Sequence, residues 1–280
     1  LDLLETLSGA GLPGPAVGSR PELWAGVPPV NVSVKLSALC QHLEPAAPEY
    51  VSEVTRRRLR LLLRPARELG AFINFDMEQY RYKDLVHRTF ADLVLEPEFA
   101  DYPHVGIVVQ AYLRDCLDDL QRVAGLAGRR GAPITVRLVK GAYWDEEVIV
   151  ADQNSWPVPV FQVKADTDAS FERCTDALLQ AWPHLRPAFG TQNPRSIAQA
   201  AVKAGARGLG RHDLEFQVLF GMAEGLREAV AEEGYRTRVY VPIGQVIPGM
   251  AYLVRRLLEN TSNQAWFNVA VSKEAAVGEK

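Results

Sequence analysis

The 280-residue chain has little of what most quickly marks a function. It holds three cysteines, Cys40, Cys116 and Cys174, an odd and widely spaced set with no CxxC pair. That argues against a zinc site or a disulfide framework and points to a reducing compartment. The five histidines (His42, His87, His104, His184, His212) are scattered and none sits in HExxH or HxH, so no catalytic metal is expected. No strand-like run leads into a glycine-rich phosphate-binding turn and a helix, which argues against a doubly wound dinucleotide fold. No GxSxG elbow offers a hydrolase serine. No apolar run approaches the roughly 18 residues of a membrane span. Net charge is only −3, from 31 basic and 34 acidic residues, so there is no global electrostatic case for nucleic acid. No signal-peptide pattern and no initiating Met are present, and the chain opens mid-pattern at LDLLETL, as expected of a piece of a longer protein.

What is present is a large core and a repeating pattern. The chain is 48% hydrophobic and 23% charged, the balance of a globular protein long enough for one (β/α)8 barrel or two small domains. Residues 1–29 hold a short amphipathic stretch and a loop rich in Gly and Pro. Strand-like runs follow at 30–39, 71–78, 105–112, 134–143, 186–192, 214–221 and 238–244. Helix-like stretches alternate with them at 51–69, 82–95, 114–128, 166–181, 195–204, 222–233 and 249–259. Strands alternating with helices predict parallel βαβ units and an α/β fold. Seven strands are visible where a closed barrel needs eight, so the first strand is expected upstream of LDLLETL. Residues 261–280 read as a tail or linker.

Active sites of parallel barrels lie at the C-terminal ends of strands. Those ends carry Lys35 and Ser37, Asp76 and Glu78, Gln110 and Tyr112, then Arg137, Lys140, Tyr143 and Trp144. Thr191, Gln192 and Asn193 follow, then Glu215, Gln217 and Tyr240. Each has a structural alternative: a Lys35–Asp76 bridge inside the barrel, a polar interior layer at Arg137, a packing role for Trp144, an outward Tyr240. As a set they are harder to dismiss, since an unpaired buried polar group costs about 1–3 kcal/mol.

The segment MAYLVRRLLEN separates two faces. Met250, Leu253, Val254, Leu257 and Leu258 share one; Tyr252, Arg255, Arg256 and Glu259 share the other, at offsets of three, four and seven. Two adjacent guanidiniums beside a phenol suit a small carboxylate, because Arg binds carboxylates through paired N–H donors. Alternatively this is a solvated face. For the arginines to reach a ligand, the helix must cross the barrel mouth, its apolar face packed on something.

SVKLSAL (33–39), VQAY (109–112), RLVKGAYWD (137–145), LEFQ…L…GM (214–222), and Y-x-P-x-G followed by AYLVRRLLEN (251–260) together resemble the proline dehydrogenase family. They are most like the proline dehydrogenase domain of bifunctional proline utilization A proteins, with a likeness from about residue 30 to 264 and a barrel domain over 30–260. The resemblance implies a distorted (β/α)8 barrel with its last helix over the mouth. It also implies FAD as cofactor, oxidation of L-proline to Δ1-pyrroline-5-carboxylate, and quinone as electron acceptor. An aldehyde dehydrogenase domain would lie elsewhere in the full-length protein, and the location would be cytoplasmic, at the inner face of the bacterial membrane.

By the same resemblance the substrate contacts are Lys35, Asp76, Tyr143, Leu219, Tyr240, Tyr252, Arg255 and Arg256, with catalytic roles for Arg137, Lys35 and Asp76. The flavin contacts are Gln110, Arg137, Val139, Gly141, Ala142, Trp144, Lys164, Thr191, Gln192 and Glu259. Gln192 stands where the family commonly has His, and unlike His it cannot become cationic. Asp76 is expected to balance Lys35, Arg255 and Arg256 around the substrate anion. Two other readings stay open. One is a Schiff-base aldolase using Lys35 or Lys140. The other is a non-catalytic barrel fragment that binds a partner through the Arg255/Arg256 helix.

Overall fold

The computed structural model describes residues 2–9, 21–40, 42–244, 247, 249–250 and 252–257. Seven strands form one parallel sheet in sequential order: β1 (Asn31–Val34), β2 (Phe72–Phe75), β3 (Val105–Gln110), β4 (Ile134–Val139), β5 (Leu185–Gly190), β6 (Glu215–Leu219) and β7 (Arg236–Tyr240). The helices are α1 (Asp2–Gly9), α2 (Leu36–Leu39), α3 (Pro48–Glu68), α4 (Tyr80–Val94), α5 (Cys116–Arg130), α6 (Trp144–Gln153), α7 (Lys164–Gln180), α8 (Pro194–Ala206) and α9 (Glu224–Glu232).

Local chemistry accounts for their ends. Pro48 opens α3 and Pro194 opens α8, where a missing N–H costs nothing. Asn193 caps α8 by accepting the Ser196 N–H at 3.1 Å. Gly131 stops α5 in the left-handed region at φ +70°. In α3, Val51, Thr55, Leu59, Leu63 and Ala66 make the buried stripe. Arg60, Arg64 and Arg67 on its far side pair with Glu96, Glu98 and Asp101.

The strands have two chemically different faces. Ile73, Phe75, Ile107, Val109, Val136, Leu138, Phe189 and Phe216 are fully or almost fully buried in the apolar core. Alternate positions, Ser33, Asn74, Asp76, Arg137, Gln217 and Tyr240, meet one another instead, as the period of two in a strand requires. Those meetings define the curl. Tyr240, ending β7, donates to Asp76, just past β2, at 3.1 Å, and Arg137 on β4 reaches Ser33 on β1 at 3.0 Å.

The result is a curled half-barrel. β1 and β7 are its edges among the described residues, and an eighth strand is not seen there. The Pro21–Trp24 turn sits against β7: Arg236 donates to the Leu23 carbonyl at 3.4 Å and Arg238 lies 5.6 Å from the Trp24 ring centre. One local expectation is corrected, and one helix appears where no element was expected. The run 30–39 is strand only to Val34 and turns helical at Leu36. Residues 144–153 form α6, with Asp145, Glu146 and Glu147 in the first turn favouring a helix start there.

Candidate active site

A cavity of about 1120 Å³ opens at the carboxyl ends of the strands. Its floor is a polar network around Arg137. The guanidinium donates through Nε to Gln217 Oε1 at 2.5 Å, through Nη1 to Asp76 Oδ1 at 2.6 Å and through Nη2 to Ser33 Oγ at 3.0 Å. Asp76 also accepts from Asn74 and from Tyr240, each at 3.1 Å. Burial, then the neighbouring Asp76 carboxylate, pushes the Tyr240 phenol above its ordinary range, so Tyr240 stays a protonated donor.

Three tyrosines and two arginines form the roof. Residues 252–257 are helical and bring Tyr252, Arg255 and Arg256 to the cavity. Arg255 lies 4.9 Å from the Tyr143 ring centre and Arg256 lies 5.3 Å from that of Tyr252. The Tyr240 and Tyr252 rings are 6.4 Å apart. Lys35 donates to the Tyr143 hydroxyl at 3.3 Å, and Leu219 adds apolar wall.

The third side is cationic and glycine-lined. Lys140 and Lys164 both donate to Asp168, at 2.5 and 2.7 Å. Burial would raise that carboxyl, but the two lysines hold it below its ordinary value. A Cβ at Gly141 would stand 2.4 Å from the Tyr112 ring and one at Gly190 would stand 2.9 Å from Val139 Cγ1, so both positions exclude a side chain. Gln110 lines the cavity, and its buried Oε1 has no hydrogen-bond partner among the described residues.

Most residues named from the sequence therefore meet here. Lys35, Asp76, Gln110, Arg137, Val139, Gly141, Tyr143, Lys164, Thr191, Gln192, Leu219, Tyr240, Tyr252, Arg255 and Arg256 all line the one cavity. Ala142 and Trp144 do not; the Trp144 indole donates to the Phe161 carbonyl at 2.8 Å. Glu259 and Leu258 lie outside the described residues.

Three expectations change. The bridge to Asp76 comes from Arg137, so this carboxylate balances Arg137 and not the Lys35, Arg255 and Arg256 set; Lys35 is taken by Tyr143. Glu215 opens β6 at the end away from the mouth, contacting Gln217 and Arg238. Met250, Leu253, Val254 and Leu257 are 47–67% exposed, so the apolar face of the last helix does not pack on the barrel among the described residues. The helix is positioned by the aromatic and cationic contacts of its other face.

Asp168 was missed, though its place four residues after Lys164 was the available signal. Ser33 and Asn74 were missed too; each stands two residues before a strand-end residue on the same strand face.

Polar and cationic groups gathered at the strand ends of a curled parallel sheet make a small-molecule site of the α/β-barrel class. The chain belongs to the proline dehydrogenase family, whose model matches residues 13–268. It is 35% identical over 245 residues to the bifunctional protein PutA of Klebsiella aerogenes, covering 85% of this chain and 19% of that protein. It is 32% identical over 242 residues to the proline dehydrogenase of Deinococcus radiodurans, covering 86% of this chain and 69% of that one. Among solved structures, PutA from Bdellovibrio bacteriovorus inactivated by N-propargylglycine superposes with a TM-score of 0.83 at 48% identity, over 86% of this chain and 25% of that chain. The chain thus spans about a fifth to a quarter of the PutA proteins it matches.

Proposed function

We propose that this chain oxidises L-proline to Δ1-pyrroline-5-carboxylate with FAD bound in the strand-end cavity, electrons passing on to a quinone. One observation carries this reading: a single cavity joins paired arginines, a tyrosine-lined wall and a buried Arg137 held through each of its three nitrogens.

The residues present fit a flavin. The Gln110 oxygen, unpartnered among the described residues, is an acceptor for a ring N–H; Lys140 and Lys164 share one carboxylate, which leaves an excess positive charge suited to a diphosphate; and Gly141 and Gly190 bring bare backbone to the cavity wall. Gln192, whose amide donates to Met222 Sδ at 3.8 Å, can turn to a phosphate oxygen without adding charge. When bound, FAD supplies the two-electron acceptor for the hydrogen on the proline ring carbon beside nitrogen.

The chain does the rest. Arg255, Arg256 and Lys35 bind the substrate carboxylate. Leu219, Tyr240 and Tyr252 enclose the ring, and the helix of residues 252–257 excludes water. Arg137, held at three corners, presents fixed positive charge where negative charge develops. Proline must react with its amine neutral, so that the nitrogen lone pair can form the C=N bond. Loss of the hydride leaves the ring nitrogen as a protonated iminium, and that N–H proton then passes to solvent to give the neutral imine.

The Schiff-base alternative is less well supported, because the Lys140 amine is ion-paired with Asp168 and the Lys35 amine donates to the Tyr143 hydroxyl. Further parts of this proposal are an aldehyde dehydrogenase unit in the longer protein, consuming the product, and peripheral placement at the cytoplasmic membrane face. No helix among the described residues is long and apolar enough to cross a membrane.

The test is the visible spectrum of the purified protein. A flavin band that bleaches on anaerobic addition of L-proline is expected. A colourless protein that binds no added FAD, or a flavin that proline does not reduce, overturns the reading.

A further inference from the structure

Arg137 is held by contacts that begin at the far end of the sheet. Glu215 and Gln217 stand two apart on β6, so both face the interior of the curl. Glu215 is gripped by Arg238 on β7, whose Nε donates to Oε1 at 2.7 Å and whose Nη2 donates to Oε2 at 3.1 Å. Burial would raise the Glu215 carboxyl, but Arg238, then Gln217, keep it below its ordinary value, so it is an acceptor only. Gln217 Nε2 donates to Glu215 Oε1 at 2.6 Å, and Gln217 Oε1 accepts from Arg137 Nε at 2.5 Å.

A primary amide has nearly the same shape either way round, so its neighbours choose its orientation. Here a carboxylate that cannot donate demands the NH2 end, which leaves the carbonyl for a guanidinium that cannot accept. We propose that Glu215 and Gln217 are positioning residues for Arg137: the carboxylate orients the amide, and the amide aims the guanidinium at the cavity. This rests on the flavin-dependent reading above.

Asp76 and Ser33 hold the two terminal nitrogens of the guanidinium, and Gln217 holds its Nε. With a neutral group at 215, both amide orientations become available. One of them sets the NH2 of Gln217 against the Nε–H of Arg137, two donors in contact. The guanidinium then keeps its Asp76 and Ser33 contacts but loses the one that fixes its tilt. The same tilt sets how closely the guanidinium faces the cavity, and so the field it would place on a bound flavin.

The experiment measures the flavin midpoint potential in wild type, Glu215→Gln, Gln217→Met, Arg137→Met, and each of the first two combined with Arg137→Met. Gln217→Met removes the acceptor while leaving the Glu215–Arg238 pair in place, so it serves if Glu215→Gln fails to fold. Each single variant at 215 or 217 should make the flavin harder to reduce by about tenfold in the reduction equilibrium, about 30 mV for a two-electron couple. Neither should add anything once Arg137 is Met, since residues acting through one group are not additive. A shift that persists undiminished beside Arg137→Met, or no shift in either single variant, overturns the proposal. A purely structural role would lower the melting temperature without that coupling. Should the protein bind no flavin, the functional reading fails on its own. The positioning claim is then judged in the apoprotein by the NMR signal of the Arg137 side-chain Nε–H, assigned by its loss in Arg137→Met. Fast solvent exchange of that proton in Gln217→Met, against slow exchange in wild type, supports it; equal exchange refutes it.

Discussion

Arg137 on β4 and Asp76, just past β2, meet across the curl at 2.6 Å, with both side chains about 90% buried. Taking one partner away leaves a largely buried charge without its counter-charge. Breaking such a pair costs about 3–5 kcal/mol. Gln217 and Ser33 still hold the guanidinium, which puts Asp76→Ala near the lower bound. Urea unfolding of Asp76→Ala and of Asp76→Asn should show both destabilised, the Ala variant more. A wild-type midpoint for Asp76→Ala would mean the bridge does not form.

The arginine pair at 255 and 256 predicts strict dependence on a carboxylate. Losing a buried charge-assisted partner costs about 2–5 kcal/mol. Prolinamide should therefore fall below proline in kcat/KM by a corresponding factor, with a similar loss for Arg256→Met acting on proline. Comparable rates for proline and prolinamide would rule out this role.

The last helix should tighten on ligand. Its apolar side chains face solvent, and Tyr252, Arg255 and Arg256 face the cavity, so little hydrophobic burial holds it down. Amide hydrogen exchange across 249–257 should slow when a cyclic carboxylate analogue binds. The same protection with and without the analogue would dispose of the lid.

Gly141 sits at φ +143°, where a side chain is strained, and a Cβ would stand 2.4 Å from the Tyr112 ring. Gly141→Ala should lower stability by about 1–3 kcal/mol from the backbone alone, and more with the collision. It should also weaken FAD binding, read by flavin fluorescence. Gly128, in α5 with nothing within 4 Å, makes the control. Gly128→Ala should stabilise by about 0.5–1 kcal/mol. If the two variants melt together, the packing described at Gly141 is wrong.

His87, buried between α4 and α5, titrates at about 4 because burial, then Lys83 and Arg122, oppose its charge. The unfolded value is about 6.5, so between these pH values only the unfolded chain takes the proton. Its contribution is complete above about 6.5 and is lost as pH falls toward 4, roughly 3 kcal/mol in all. Asp119, with an oxygen 3.8 Å from His87 Nε2, works in the opposite sense. Burial pushes its carboxyl up to about 6 against the pull of Lys83, so it favours folding below about 3.8 and that contribution fades as pH rises through 6. Subtracting the stability curve of His87→Gln from that of wild type isolates the first slope. A difference that does not change between pH 4 and 6.5 would contradict it.

Much of the molecule was legible in the order of its residues. A period of two in the strands and of three to four in the helices places apolar side chains by local geometry alone, and the βα alternation follows from it. The strand-end rule then brings Lys35, Gln110, Arg137, Thr191 and Tyr240 to one cavity before any coordinates are known. The amino-acid sequence could not say which charge meets which. That Asp76 takes Arg137 and leaves Lys35 to Tyr143 depends on strand register and on how far the sheet curls. So does the reach of Glu215, at the opposite end of β6, to Arg137 through Gln217. Nor could the sequence say that the Trp144 indole donates to the backbone carbonyl of Phe161. The last helix shows its apolar side to solvent because its place over the mouth is set by tyrosine and arginine contacts with other elements. These are distances between residues far apart in the chain, and only the folded sheet decides them.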